Sequence, residues 1–501
     1  MGGAQYLAAV ADSLNGKPGD YAAFKAANAG RKPQVYVGAN DGMLHAFDAK
    51  TGQETFAFIP TPVIPNLYRL ADSNYNTDSS LHRYYVDGTP VVADVYIGNA
   101  WRTVLIGTLR GGGRGVFALD VTSPDNVSLL WEYTSQDDAD LGYTFATPVV
   151  SRLHNGKWAV LLGNGYNSSN GNASLIVLDV ASGSRIAKLT TSASGNNGLS
   201  SVRAADVNGD GVADYAYAGD LQGNLWRFDL FKTGSAAALE AASISSASEF
   251  AVAFGNQPLY RASTPGQNPV AQAITAPPSL VRHPSRTGYI VIFGTGRYFT
   301  AADKQTDTLQ TLYGVWDRRT AGESTVSAAA VTRKDLVAQT ISQVDNATFG
   351  AVTRSVRTVT QNPVDWSNVD GWVLDLKVGT ELLGERITDE MYARGNVLFV
   401  TTRTPSPDPC QAGLTGWTYG IDPYTGGRTA FNVFDLSRDG VVGTDDQYND
   451  SVISGLGTSA GGIALGNDKL ADSSGDLTTV SFGPNVTGRQ SWRVIPEVFQ
   501  K

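Results

Sequence analysis

Apolar residues in this chain gather into short runs of four or five, and the runs end in two recurring ways. One kind closes on glycine: Val35-Tyr36-Val37-Gly38, Val104-Leu105-Ile106-Gly107, Val160-Leu161-Leu162-Gly163, Tyr215-Ala216-Tyr217-Ala218-Gly219 and Ile290-Val291-Ile292-Phe293-Gly294. The other closes on aspartate: His45-Ala46-Phe47-Asp48, Phe117-Ala118-Leu119-Asp120, Ile176-Val177-Leu178-Asp179, Trp226-Arg227-Phe228-Asp229 and Tyr313-Gly314-Val315-Trp316-Asp317. Runs this short, rich in β-branched and aromatic residues, predict strands. Several aspartate-closed runs turn at Thr-Gly or Ser-Gly, as in Lys50-Thr51-Gly52 and Ala181-Ser182-Gly183, and enter a further strand such as Glu54-Thr55-Phe56-Ala57-Phe58.

A unit of three or four strands recurring in this way predicts the blades of a β-propeller. The expected fold is all-β, a modified propeller of seven blades within a range of six to eight. Five units are plain. A sixth is expected from Trp372-Val373-Leu374-Asp375 to Tyr419-Gly420-Ile421-Asp422, and an irregular seventh from 455–462 and 480–492.

Helical periodicity is confined to the start of the chain and to insertions. Residues 4–30 read as helix, broken at Gly16-Lys17-Pro18-Gly19 and resuming at Tyr21-Ala22-Ala23-Phe24. The chain therefore divides into a helical leader, 1–32, and a propeller, 33–501. Residues 236–250 are Ala/Ser-rich and predict a short helix, and the stretch 306–350 is read as helical around Lys334-Asp335-Leu336-Val337.

Composition narrows the function. The 55 glycines suit many tight turns, and a net charge of −9 argues against nucleic acid or anionic membrane as the main partner. No apolar run reaches the length of a membrane span. Met1-Gly2-Gly3 reads as an expression start, with a signal peptide or further domain expected upstream. Cys410 is the single cysteine, either a small buried side chain or half of a bridge to another region.

The strongest chemical signal is Asp206-Val207-Asn208-Gly209-Asp210-Gly211-Val212-Ala213-Asp214. Side-chain oxygens stand at loop positions 1, 3, 5 and 9, glycine at 6 and the Val212 carbonyl at 7. Calcium takes about 6–8 oxygen ligands, and alternate residues of a tight loop can turn theirs to one centre. Tyr217 replaces the usual Glu at position 12, so the loop joins strands rather than helices. An Asp/Asn/Gly turn without metal is the plainer alternative. A second acidic loop, 435–446, has oxygens at positions 1, 3, 5 and 12, yet Arg438 puts a cation inside it; an ordinary turn is expected there.

His45, His82, His154 and His283 stand far apart, so each is expected to be structural or on the surface. Gly111-Gly112-Gly113-Arg114-Gly115 precedes a strand and lacks the Lys-Ser/Thr of a phosphate loop, so it predicts a hairpin turn. No nucleophile elbow or other catalytic set is found, and the chain is expected not to be an enzyme.

With these residues in view, the chain resembles the C-terminal propeller of the PilY family of type IV pilus biogenesis factors and tip-associated adhesins. The likeness is densest at Val35-Tyr36-Val37-Gly38-Ala39-Asn40-Asp41-Gly42-Met43-Leu44-His45-Ala46-Phe47-Asp48, at the 206–214 loop, at 219–229 and at Trp417-Thr418-Tyr419-Gly420-Ile421-Asp422, with a closing match at 488–493. The resemblance implies a modified seven-bladed propeller with Ca2+ held by Asp206, Asn208, Asp210 and Asp214 side chains and the Val212 carbonyl. It further implies calcium-linked pilus extension and retraction, twitching motility and attachment. Pilins or minor pilins, and a host-cell or surface receptor, are the implied partners. The implied location is the cell surface, at the pilus tip or outer membrane. The family's signal sequence and variable adhesive region would lie outside this sequence.

Two other readings compete. Ala46-Phe47-Asp48-Ala49-Lys50-Thr51-Gly52 resembles the repeat of propeller quinoproteins, but the adjacent cysteine pair of many such enzymes is missing. A glycan- or receptor-binding propeller is the other.

Overall fold

The computed structural model describes Val10 and residues 17–483 except 76, 79, 286, 306–307, 325–330, 406–414, 460–462, 467 and 473–474. Each glycine-closed run pairs antiparallel with the aspartate-closed run that follows it. The registers repeat: Gln34 faces Asp48, Val104 faces Asp120, Ala159 faces Asp179, Tyr215 faces Asp229 and Tyr289 faces Asp317. The recurring aspartate has a local cause. Its carboxylate accepts the amides of the next turn, as Asp48 does from Lys50 and Thr51, Asp179 from Ala181 and Asp317 from Arg319.

The first blade has three strands, Gln34–Gly38, Leu44–Asp48 and Glu54–Phe58. The second runs through Val91–Ile97, Ala100–Thr108, Gly115–Asp120 and Ser128–Thr134, and the third through Val149–Leu153, Trp158–Gly163, Asn172–Asp179 and Arg185–Ser194. The fourth is built on Arg203–Ala205, Tyr215–Gly219 and Asn224–Asp229, with Ala251–Val252 and Tyr260–Arg261 both pairing with Asn224–Asp229. Successive blades pack face to face, and the core lies between them. Val104, Val116 and Trp131 meet Trp158 and Ile176; Leu161 and Val177 meet Trp226 and Phe228; Tyr217 and Leu225 meet Phe293 and Tyr313.

Two of the glycines that end the runs, Gly219 and Gly294, sit where the chain toward the next blade passes. A Cβ on Gly219 would lie 2.1 Å from Ile274 Cγ2, and one on Gly294 would lie 2.5 Å from Ile387 Cβ. No larger residue fits without moving those segments.

Three expectations are corrected after the fourth blade. Gly371–Val378 pairs with Thr311–Asp317 and closes the fifth blade, so Trp372-Val373-Leu374-Asp375 does not open a sixth. Its aspartate does not end a strand: Asp375 lies mid-strand and accepts from Thr311 and Arg333, which is why the motif misleads. The sixth blade is Tyr392–Arg394, Val397–Thr401, Thr415–Ile421 and Gly455–Ser459, so the stretch assigned to a seventh unit at 455–462 belongs here as far as it is described.

The insertion read as helical around Lys334 is instead the long hairpin Leu336–Phe349 and Val352–Val359, with only a 3-10 turn at Arg333–Asp335. Alternation of buried Gln339 and Ile341 with exposed Thr340 and Ser342, together with its β-branched residues, sets a period of two. The hairpin runs beside Gly371–Val378 on one side and Gly455–Ser459 on the other, joining blades five and six into one ten-stranded sheet.

A three-stranded sheet follows at Ala464–Leu465, Lys469–Ala471 and Leu477–Thr479. Most of the other seventh-blade stretch, 480–492, lies outside the described residues, as do Cys410 and the first helical run at 4–14 apart from Val10. The resumed helix is Asp20–Ala27, whose Tyr21 is fully buried against Trp101 and donates to Asp94 at 2.8 Å. Residues 236–250 form two 3-10 turns, Ala236–Leu239 and Ala247–Glu249. The 111–115 glycines turn the second blade's chain between paired strands, as their sequence predicts.

Candidate metal-binding loop and its relatives

Loop 206–214 straddles two blades. Arg203–Ala205 leads into it from the fourth blade and Tyr215–Gly219 carries the chain back into that blade. Between them, Val212 and Ala213 lie parallel to Arg152 and Leu153 as a fifth strand on the third blade. Gly209 and Gly211, at φ 80° and 91°, make the reversal that a side chain would oppose.

Carboxylate oxygens of Asp206, Asp210 and Asp214 accept amides of the loop itself. Asp206 Oδ1 accepts from the Gly209 amide at 2.6 Å and Asp206 Oδ2 from the Gly211 amide at 2.8 Å. Asp210 Oδ1 accepts from Val212 at 2.9 Å, and Asn208 donates to Asp210 Oδ2 and to the Leu239 carbonyl, each at 2.8 Å. Asp214 is fully buried; its Oδ2 accepts from the Val207 amide at 2.7 Å, and its Oδ1 lies 2.9 Å from His154 Nε2. These bonds tie Asp206, Asn208, Asp210 and Asp214 into one turn.

The electrostatics are strained by burial. Burial pushes the Asp214 carboxyl up to about 6, although His154 and the Val207 amide pull the other way. Burial also raises Asp206, and the charge of Asp210 adds to it. For His154 burial lowers the affinity for a proton, but its bonds to Asp214 and to the Ser243 carbonyl outweigh that and leave it raised.

Among the described residues, no three acidic, histidine or cysteine side chains converge with metal-site spacing. The donor chemistry nevertheless fits a hard cation: three carboxylates, an amide oxygen and a carbonyl within nine residues. Asp206 Oδ1 accepts two amides, from Gly209 and Asp210, whereas Asp206 Oδ2, both Asp210 oxygens and Asp214 Oδ2 each accept one donor and keep a second lone pair.

His154 is the residue that sequence reasoning missed at this site. Nothing in its spacing points to Asp214, because the contact depends on the third blade's first strand ending beside the loop. Outside contacts complete the setting: Tyr289 donates to the Asp206 carbonyl at 3.3 Å and Arg282 to the Val207 carbonyl, from the fifth blade's strands Tyr289–Gly294 and Ser279–Arg282.

The second loop has related bonds, Asp435 Oδ2 accepting from Gly440 at 3.0 Å and Asp446 Oδ1 from Leu436 at 2.6 Å. Arg438 points out of it to Asp476. The other histidines stay apart: His45 bridges Asp41 and Glu54, His82 packs on Tyr84, and His283 stacks on Trp316.

The family model described as the PilY1 beta-propeller domain matches residues 1–354. The chain is 49% identical over 536 residues to the type IV pilus biogenesis factor PilY1 of Pseudomonas aeruginosa strain UCBPP-PA14, covering 99% of this chain and 45% of that protein. The chain belongs to the PilY1 family. A PilY1 homolog of Xylella fastidiosa strain Temecula1 is 39% identical over 491 residues, covering 95% of this chain and 36% of the relative. The chain thus spans less than half the length of these PilY1 relatives. Against the crystal structure of the Pseudomonas aeruginosa PilY1 C-terminal domain the TM-score is 0.85 at 47% identity, covering 96% of this chain and 99% of that one. This likeness agrees with the propeller class and with the family resemblance carried by the motifs.

Proposed function

We propose that this chain is the calcium-responsive propeller of a type IV pilus biogenesis factor and tip-associated adhesin, exported to the cell surface, with no catalytic role. The observation that carries the reading is the placement of a nine-residue, oxygen-rich loop across two blades in a member of a family whose relatives are named as pilus biogenesis factors. Among the described residues no helix is long and apolar enough to cross a membrane.

Asp206, Asn208, Asp210 and Asp214, with the Val212 carbonyl, would hold the ion. Calcium supplies charge neutralisation for three crowded carboxylates. The chain's own residues transmit the outcome: Val212 and Ala213 tie the loop to the third blade, Asp214 meets His154, and Tyr289 and Arg282 hold its first two carbonyls from the fifth. An ordered loop fixes the relation of three blades, and a pilin or minor pilin reading that surface would distinguish the two states. A few kcal/mol of differential binding moves a two-state population strongly. Pilus extension, retraction, twitching motility and attachment to a host cell or surface follow from that switch.

Titration calorimetry with calcium tests the ligand set. The parent should bind one ion in the loop, and both Asp210→Ala and the Asp210→Ala/Asp214→Ala pair should lose it. No heat with the parent sinks the calcium reading, and a site surviving in the pair points to 435–446. A variant that loses calcium yet extends and retracts pili normally removes the switch.

A further inference from the structure

The blades' other end carries a cavity of different character. Loop 206–214 precedes the strand Tyr215–Gly219, whereas Leu221, just beyond that strand, lines a space of about 540 Å³ shared with Tyr84, Tyr143, Phe145, Tyr166 and Phe299. A neighbouring cavity of about 790 Å³ shares Tyr84, Gly111 and Tyr143 with it and is walled by turns of the first two blades.

The larger cavity is lined by Arg83, Arg114 and His82 and by no carboxylate, in a chain with 47 acidic and 38 basic residues. The Arg114 guanidinium lies 5.5 Å from the Tyr143 ring centre, and Arg110, just behind the wall, lies 5.5 Å from that of Phe145. Among the described residues none of Arg83, Arg110 and Arg114 forms an ion pair, and Arg110 Nε is buried without a hydrogen-bond partner. Arg110 also holds φ at 45°, a backbone conformation costly for a side-chain-bearing residue. Two acids behind the lining are bonded to the wall itself: Glu132 accepts from the Thr61 amide at 2.7 Å and Asp137 from the Thr134 amide at 2.8 Å.

We infer that this cavity binds an acidic saccharide, its carboxylate on Arg83 and Arg114 and its ring against Tyr84, Tyr143 and His82. Arginine forks match a carboxylate with two parallel bonds. Tyr75 stacks on His82 at 6.2 Å and His82 meets Tyr84 edge-on at 5.3 Å, while Tyr84 itself is 53% exposed and offers ring surface to a sugar. An acidic peptide would use the cations but leave that surface idle. A polyanion would meet the long-range field of a −9 chain, whereas one carboxylate per ligand meets chiefly the local cations. The inference is independent of calcium in the 206–214 loop.

Calorimetric titration of the intact chain with 3′-sialyllactose, a glucuronic-acid disaccharide and neutral lactose tests it. At least one acidic sugar should bind, which of the two distinguishing a sialic from a uronic source, and lactose should bind about tenfold or more weaker. Arg83→Gln/Arg114→Gln and Tyr84→Ala should each weaken the acidic sugar about tenfold with unchanged melting temperature. The inference is overturned if neither acidic sugar binds, if lactose binds equally, or if the variants bind like the parent. It is also overturned if a hexaglutamate peptide matches the sugar's affinity, since the site would then read charge alone.

Discussion

His154 Nε2 and Asp214 Oδ1 stand 2.9 Å apart with both side chains fully buried, joining the end of the third blade's first strand to the last oxygen-bearing residue of the 206–214 loop, sixty residues on. A buried pair adds little over a well-packed apolar pair, but losing one partner strands the other. His154→Ala should therefore destabilise the chain by about 3 kcal/mol in urea unfolding. The same variant should weaken calcium uptake, because Asp214 would no longer be held in place. Unchanged stability and unchanged calorimetry would show that the pair neither supports the fold nor positions the ligand.

The fourth and fifth blades are joined by a second buried charge group. Arg227 is fully buried, donates to Asp229 and Asp317, each at 3.0 Å, and lies between the Tyr215 and Phe254 rings at 4.6 and 4.4 Å from their centres. Tyr217 adds a bond to Asp317 at 2.8 Å. Arg227→Ala leaves two buried aspartates without their cation and should cost about 3–5 kcal/mol. Arg227→Lys should recover only part of this, since an ammonium cannot replace a planar fork stacked between rings. Chemical denaturation of both variants checks the order, and equal losses would remove the role given to the guanidinium plane.

How much of this was readable from residue order depends on the range of the interaction. The glycine- and aspartate-closed runs are local signals, because Asp48 caps its own turn and Tyr215 follows its own loop; these give the paired strands of the first five blades directly. The candidate ligand positions are local as well, all within nine residues. What escaped was set by partners far along the chain. Asp375 closes a familiar phrase but sits mid-strand beside Thr311, and Lys334 precedes a hairpin whose own period of two is completed by pairing with 371–378 and 455–459. The strand signal of 336–349 lies in its own alternation, masked in the sequence by the polar, Ala-rich residues before it.

Gly294 tests the packing explanation for the recurring glycine. Its φ is ordinary, so the argument is space alone: a Cβ would lie 2.5 Å from both Ile387 Cβ and Ile387 Cγ2. Gly294→Ala should destabilise by about 1–3 kcal/mol through overpacking between the fifth and sixth blades. Pairing it with Ile387→Ala should return part of the loss, because the clash and the cavity then offset one another. Additive losses in thermal unfolding would place the glycine's importance elsewhere.

His283 sets an acid limit on stability. Its ring lies flat on Trp316, centres 3.6 Å apart, and meets Trp366 edge-on at 4.6 Å; it is 2% exposed. Nδ1 accepts from the Ser285 amide at 3.1 Å, while Nε2 is buried without a partner. Arg318, 4.1 Å over the Trp316 ring and paired with Asp370 at 2.7 Å, is the charge that acts on the ring. Burial and then the Arg318 charge lower the histidine from 6.5 to about 4. The unfolded chain, with an ordinary histidine, therefore binds a proton between these two values while the folded chain does not. Stability from the neutral ring is complete above pH 6.5, falls as the medium is acidified through the window, and is lost below about 4. His283→Phe keeps the stack and removes the proton site. The parent should lose on the order of 1–3 kcal/mol relative to this variant on going from neutral pH to about 4. Parallel pH profiles of urea unfolding for the two proteins would show instead that the buried ring is protonated in the folded chain as easily as in the unfolded one.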